Sequence, residues 1–199
     1  MKLNRIELWM MNNPLRRAGQ RWIELPLFER MLRRAGVDLT GKRLLDAGCG
    51  SGFSTELLAR RLRPGRLVGF DLMPEQIERA RARCPEAELR VGDISAIAEP
   101  DGAFDAVFVF GILHHVPEWR EALREIHRVL APGGVLLVEE LHGRTAEWAD
   151  RWLGTEHPRA AAFDWPTFRG GLEAAGLEIV EWRRLSLGTF ASFLCRRPG

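Results

Sequence analysis

From Arg43 onward, short β-rich runs alternate with amphipathic helical patterns, and this alternation restricts the fold more than any other feature of the chain. The runs RLLDAG, RLVGFD, AELRVGD, FDAVFVF and GVLLVEE are predicted to be strands. Between them, STELLARRLR, PEQIERARARC and EWREALREIHRVL carry apolar residues three and four positions apart. In the last of these Leu123, Ile126 and Leu130 make the stripe, and Pro132-Gly133-Gly134 is expected to end the helix. Strands alternating with such helices imply right-handed crossovers and a parallel sheet. A further helix is expected around Trp165 to Ala175. After it, LEIVEWRRL and TFASFLCRR are separated only by a short turn around Gly188, which predicts an antiparallel hairpin. The expected class is α/β: a doubly wound, mostly parallel, seven-stranded sheet with a C-terminal antiparallel hairpin.

The first strand runs into LLDAGCGSGF, a glycine-rich turn of the kind that holds a ligand. A dinucleotide fingerprint needs G-x-G-x-x-G, whose last glycine lets the helix approach the strand. Here the third glycine, Gly52, falls one place early and Phe53 takes the fingerprint position. Gly48 and Gly50 still permit close backbone approach. Asp46 at the strand's end would repel a pyrophosphate and suit a cationic ammonium group, so the loop favours a zwitterion over a diphosphate. Asp71 ends the second strand and Asp93 the third. Strand ends of a parallel sheet share one edge, so Asp46, Asp71 and Asp93 are expected to line one crevice. Asp71 is placed to accept two hydrogen bonds from a ribose diol. Asp93, with the backbone of Ile94, is placed to accept from an exocyclic amine, and Leu72 and Met73 to contact a flat base.

Taken in order, LLDAGCGSGF, GFDLM, VGDI, FDAVFVFGILHHVPEW and LAPGGVLLVEE resemble a class I S-adenosylmethionine-dependent methyltransferase. The resemblance covers roughly residues 41 to 141 and is to the branch acting on small molecules, quinones and lipids. It implies a Rossmann-like methyltransferase fold and S-adenosyl-L-methionine as cofactor. It also implies that Gly48 and Gly50 hold the methionine part, Asp46 lies near its amino group, Asp71 takes the ribose, and Asp93 and Ile94 take adenine. Cys49, whose small size suits the loop, and Phe110 complete the expected cofactor-binding set.

On the acceptor side, Gly111-Ile112-Leu113-His114-His115 follows the fourth strand, where a transferable methyl would point. A hydroxyl or ammonium acceptor must lose a proton, and histidine takes one near neutral pH. His114 or His115 is therefore the first candidate for general base. The pair could equally serve only to shape the pocket, and since neighbouring residues need not face the same way, at most one is expected to reach the acceptor. Gly111, Glu140 and His142 are further acceptor-site candidates, although Glu140 could instead be buried in a structural hydrogen bond. His157, in the loop TEHPRA, could line the same pocket, whereas His127 is expected to be a surface or packing residue.

Residues 1–40 add no strand and read as a helical cap, leaving 41–199 as the cofactor-binding domain. Pro14 and Pro26 are expected to break this segment into one or two amphipathic helices. Residues 1 to 43 hold ten Lys/Arg against four Asp/Glu, a balance of +6 that leaves −4 for the remainder of a chain with net charge +2. Trp9, Trp22 and Phe28 stand among Arg16, Arg17, Arg21, Arg30, Arg33 and Arg34. That mixture suits a lid whose apolar face covers the acceptor while its arginines stay solvated, or a surface that meets an anionic membrane peripherally. Nucleic-acid binding is not expected, because no binding module accompanies the basic stretch.

Composition fits this reading. With 46% hydrophobic and 28% charged residues the chain is an ordinary globular one, and no run is long and apolar enough to span a bilayer. Cys49, Cys84 and Cys195 are far apart and not in metal-ligand spacing, so reduced thiols, a cytoplasmic location and no metal are expected. The expected activity is methyl transfer to a small, fairly apolar acceptor, at a hydroxyl first. N- or C-methylation of a lipid head group or quinone at the membrane is one alternative; a catalytically silent cofactor-binding subunit is another. A monomer and a homodimer are both compatible with the sequence.

Overall fold

The computed structural model describes residues 12–199; Leu8, Trp9, Met10 and Met11 of the basic segment lie outside them. The chain enters through α1 (Pro14–Gly19), a π-helical turn (Gln20–Glu24) and α2 (Leu25–Arg34). It then alternates through β1 (Arg43–Ala47), α3 (Phe53–Leu62), β2 (Arg66–Asp71), α4 (Pro74–Arg83) and β3 (Glu88–Val91). The second half runs through β4 (Phe104–Phe110), α5 (Trp119–Val129), β5 (Leu130–Leu141), α6 (Gly143–Leu153) and α7 (Trp165–Ala174). It closes with β6 (Glu178–Leu185) and β7 (Phe190–Arg196).

These strands form one seven-stranded sheet in the order β3-β2-β1-β4-β5-β7-β6, in which β7 runs antiparallel to both neighbours. The expected hairpin is present, and its second strand is the one inserted against β5. Side chains alternate across the sheet with the period of two that a strand imposes. Ala106, Phe108 and Phe110 pack with Phe28 and Met31 of α2 on one face, while Val107 and Val109 pack with Trp119, Leu123 and Ile126 of α5 on the other. Phe28 is fully buried, its ring centroid 5.4 Å from that of Phe110 and 6.2 Å from that of Phe108. Burying a side chain of this size contributes about 1.5–3 kcal/mol relative to leaving it in water. The N-terminal segment is thus partly an integral layer of the core through α2, and only its earlier turns reach the ligand edge.

Two local expectations are corrected. Pro26 does not break the N-terminal helix. The helical run continues from Pro14 to Arg34, and the π turn just before Pro26, with Leu25 N–H donating to Gln20 O, is the register change that carries the helix past a residue without an N–H. The helix α5 ends at Val129, before Pro132-Gly133-Gly134. Leu130 already pairs with Phe104 in the sheet, and the ladder shifts register before resuming at Ala106–Val135, so the Pro-Gly-Gly stretch forms an irregularity inside β5.

Strand order reverses between β1 and β4, both of which point their C-terminal ends at the same edge. In a doubly wound sheet that switch point opens the crevice where ligands bind.

Candidate cofactor and acceptor site

The glycine loop is built against the end of β2. The N–H groups of Gly48 and Cys49 both donate to Phe70 O at 2.9 Å, and Gly50 N–H donates to Asp71 Oδ2 at 3.0 Å. The other carboxylate oxygen, Oδ1, accepts from Met73 N–H at 2.9 Å. Asp71 therefore ties the β1 loop to the start of α4. Gly50 has φ +51°, and a Cβ there would meet nothing within 4 Å, so the loop leaves open space at this point. Gly52 differs: its φ is +80° and a Cβ would lie 2.8 Å from Ala80 Cα. It gives α3 its close approach to α4, a packing role for the glycine that falls one place early.

A cavity of about 140 Å³ lies over this loop, lined by Gly48, Cys49, Gly50, Asp71, Leu72, Met73, Asp93, Ile94 and Phe110. Nine of the ten residues expected from sequence to bind the cofactor thus meet around one space. The tenth, Asp46, stands behind it. Its carboxylate is fully buried, and Oδ2 accepts from Ser54 Oγ and Thr55 Oγ1, both at 2.7 Å. Burial pushes this carboxyl up to about 6, against the pull of the two hydroxyls, with the Asp71 charge adding to the rise. Asp71 is also raised, by burial, while its bonds from Met73 and Gly50 restrain the rise. Asp93 is exposed, its Oδ1 accepting from Ser95 N–H and Oγ at 2.8 and 2.7 Å. Burial raises the Cys49 thiol well above its ordinary value, which removes it as a nucleophile.

Gln76 joins these residues without any signal in the sequence. It is buried at the start of α4, lines the same cavity, and its Oε1 has no hydrogen-bond partner among the described residues. In PEQIERARAR, a glutamine in the first turn of the helix reads as solvated. An open backbone cradle, a carboxylate on β2, an orphaned amide oxygen and an apolar wall of Leu72, Met73 and Phe110 suit a ligand with amino-acid, ribose and base parts. The residues fit S-adenosylmethionine.

A second cavity of about 400 Å³ adjoins the first and is lined by Leu15, Arg16, Ile23, Glu24, Gly111, His114, His115, Glu139, Leu141, His157 and Phe190, among others. His115 lines both cavities. Both histidines of the pair, rather than one, face the second cavity. Leu113–His115 forms a single 3-10 turn instead of extended backbone, and this brings their ring centroids to 4.3 Å. Burial, then the nearby charges of His114 and His157, pushes His115 down to about 2, so it is neutral at physiological pH.

Nδ1 of His114 lies 2.7 Å from Oε2 of Glu140. Glu140 is fully buried, and its two oxygens also accept from the N–H groups of Ile112, Leu113, His114 and Leu141. An oxygen pair that accepts from every neighbour sets the His114 proton on Nδ1 and leaves Nε2 as the acceptor. Glu140 therefore orients the histidine turn and lines neither cavity. His142 lines neither as well: its Nδ1 accepts from Arg144 N–H and caps α6, and its ring stands edge-on to Trp165. The carboxyl that does reach the second cavity from β5 is Glu139, because adjacent strand residues face opposite ways. Glu139 and Glu24 are both raised by burial, and Arg16 pairs with Glu24 while donating to Phe110 O at 3.2 Å. Arg16 is thus turned inward, whereas Trp22 and Ile23 are exposed, which inverts the lid pattern expected for this stretch. His127 packs its ring over Gly176, as a packing residue.

A family profile described as a methyltransferase domain matches residues 45–138, the stretch that holds the glycine loop, the three aspartates and the histidine pair. A probable S-adenosylmethionine-dependent methyltransferase of Mycolicibacterium smegmatis is 33% identical over 82% of this chain and 60% of its own length. A ubiquinone biosynthesis O-methyltransferase of Xanthomonas oryzae pv. oryzae is 36% identical over 62% of this chain and 53% of its own. The chain thus spans little more than half the length of these curated relatives. Among solved structures, the N-methyltransferase NodS of Bradyrhizobium japonicum, in complex with S-adenosyl-L-homocysteine, superposes with a TM-score of 0.71 at 24% identity, covering 96% of this chain and 92% of that one. Matched motifs and sheet order agree: residues 45–138 carry a methyltransferase domain, and over most of its length the chain is similar to S-adenosylmethionine-dependent methyltransferases.

Proposed function

We propose that this chain transfers a methyl group from S-adenosylmethionine to a hydroxyl of a small, fairly apolar acceptor held in the second cavity. The observation that carries this reading is His115, which forms part of both walls and so marks where the two ligands meet. When bound, the cofactor supplies an electrophilic methyl group on a positively charged sulfur. Gly50 and Asp71 hold it from the loop and β2, Asp93 and Ile94 from the end of β3, with Asp46 behind the loop offsetting its ammonium charge. His115 separates the cavities and excludes water from the junction. His114, held by Glu140, presents Nε2 to take the acceptor's proton, and positioning of this kind supplies much of the acceleration in a displacement. The turns before α2 act as the cap: Leu15, Arg16, Ile23 and Glu24 close the acceptor side, and Gln20 reaches the cofactor side. The relative named for ubiquinone biosynthesis O-methylation supports a hydroxyl acceptor.

A membrane-facing variant of this reading has its own support. Trp22 is 70% exposed and Trp152 65% exposed, with Leu15, Ile23 and Trp148 also in solvent. Leu15 and Ile23 line the acceptor cavity, as does Ala149, the neighbour of Trp148, so apolar side chains surround its mouth. Among the described residues no helix is long and apolar enough to cross a membrane, so such contact would be peripheral.

Cofactor labelled on its methyl group, incubated with the protein and a host-cell extract, tests both readings. Label in the organic phase supports a quinone or lipid acceptor and the membrane-facing variant; label on a soluble, base-stable ether supports a soluble hydroxyl acceptor. Cofactor binding with no label transferred to any fraction would overturn methyl transfer in favour of a silent binding subunit.

A further inference from the structure

We infer that His114, His115 and His157 form a site for a divalent transition ion of the zinc class, with its open coordination position facing the second cavity. One ring nitrogen from each of the three lies within 4.8 Å of the others, and all three residues line that cavity. The 3-10 turn delivers the first two, and the loop after α6 delivers the third across the cavity.

The carboxylates behind the rings distinguish this cluster from an incidental stack. Metal-bound histidines characteristically give their other ring nitrogen to a carboxylate, which fixes the tautomer and the ring's direction. Two of the three do so here. His114 Nδ1 pairs with Glu140, and His157 Nδ1 pairs with Asp150 of α6. Asp150 is itself held, accepting from Thr155 Oγ1 at 2.8 Å and from His157 N–H at 3.1 Å. Both pairings leave Nε2 as the ligand atom.

Zn–N bonds of about 2.0–2.1 Å place two nitrogens of a tetrahedral site about 3.4 Å apart. The cluster therefore closes by roughly an ångström on an ion. The rings of His115 and His157 are stacked, 4.6 Å apart with 20° between their planes, so one of them turns as it does so. Three imidazoles with no carboxylate among the ligands select zinc, cobalt, nickel or copper over magnesium or calcium. The fourth position opens on the cavity, where an oxygen of the acceptor can enter. An ion at this site occupies Nε2 of His114, so metal loading and the free-base role proposed above are alternative states of one cavity. The inference rests on the histidine geometry and stands whichever acceptor is used.

The test is a titration of the chelator-treated, dialysed chain with Co²⁺, followed by the visible d–d absorption of four-coordinate cobalt, and then displacement by Zn²⁺. One saturable site per chain is expected. His157→Ala should weaken it by at least about a hundredfold and Asp150→Asn by roughly tenfold to a hundredfold. Binding of S-adenosylhomocysteine serves as the fold control and should be unchanged in both. No saturable cobalt or zinc site, or unaltered affinity in His157→Ala, overturns the inference. Should His157→Ala fail the fold control, Asp150→Asn decides: unaltered affinity overturns the site and a weakened one supports it. Label transfer plays no part in this titration, so its outcome is separate from that of the acceptor reading.

Discussion

Oδ2 of Asp71 accepts the N–H of Gly50 at 3.0 Å, across the 21 residues between the end of β2 and the glycine loop. One carboxylate thus shapes the loop and faces the cofactor cavity. A charge-assisted hydrogen bond contributes about 1.5–3 kcal/mol, so Asp71→Ala should weaken S-adenosylhomocysteine binding roughly tenfold to a hundredfold. Calorimetric titration checks this, and an unchanged affinity removes Asp71 from the site.

Asp46 predicts a pH dependence of stability. Its carboxyl rises from an ordinary 3.8 to about 6 through burial, so the folded chain holds this proton more tightly than the unfolded chain. The stability it contributes is complete below about pH 3.8 and is lost as pH rises through about 6. The loss amounts to about 3 kcal/mol, since each tenfold gain in proton affinity on folding is worth about 1.36 kcal/mol. Asp46→Asn cannot ionise. Its unfolding free energy relative to the parent should therefore move in the variant's favour by up to that amount between about pH 4 and pH 7. Denaturant unfolding at both pH values would show parallel changes in parent and variant if burial does not hold the proton.

Gly52 should tolerate no side chain. Its φ of +80° is left-handed, and a Cβ would press on Ala80 Cα, which is backbone and cannot rotate away. Left-handed strain and overpacking together put Gly52→Ala at about 2–4 kcal/mol of destabilisation. Chemical denaturation measures it; a loss under about half a kilocalorie per mole would mean that α3 and α4 can separate freely.

The two histidines of the 3-10 turn should separate kinetically. On the base role proposed for it, His114→Ala is expected to slow turnover roughly a hundredfold to ten-thousandfold. His115→Ala opens the wall between the cavities and should act mainly through KM for acceptor and cofactor. Steady-state rates across pH, with the acceptor that the labelling experiment identifies, compare them. Turnover and pH profile intact in both variants would end the base reading.

The basic N-terminal stretch shows where local pattern misleads. Arg16, one of six arginines expected to be solvated, instead pairs with buried Glu24 at the second cavity, while Trp22 stays in water. Helical spacing says which residues share a stripe; which stripe turns inward depends on the sheet that receives it. Pro26 misleads in the same way, because a π turn ahead of a proline can carry the helix past its missing N–H.

What the sequence determined by itself is the frame and the cofactor edge. Strand and helix periods, a displaced third glycine and aspartates at successive strand ends are local features, and parallel strands must bring their ends to one edge, so Gly50, Asp71, Asp93 and Ile94 could be placed together before any coordinates. The rest of the site was decided only in three dimensions. Glu139 rather than Glu140 reaches the second cavity because of the facing of one strand residue, Gln76 on α4 is buried against the first cavity, and His157 meets His114 and His115 across 42 residues of chain. No spacing encodes those meetings, since they follow from how α6 and the N-terminal helices dock on the finished sheet.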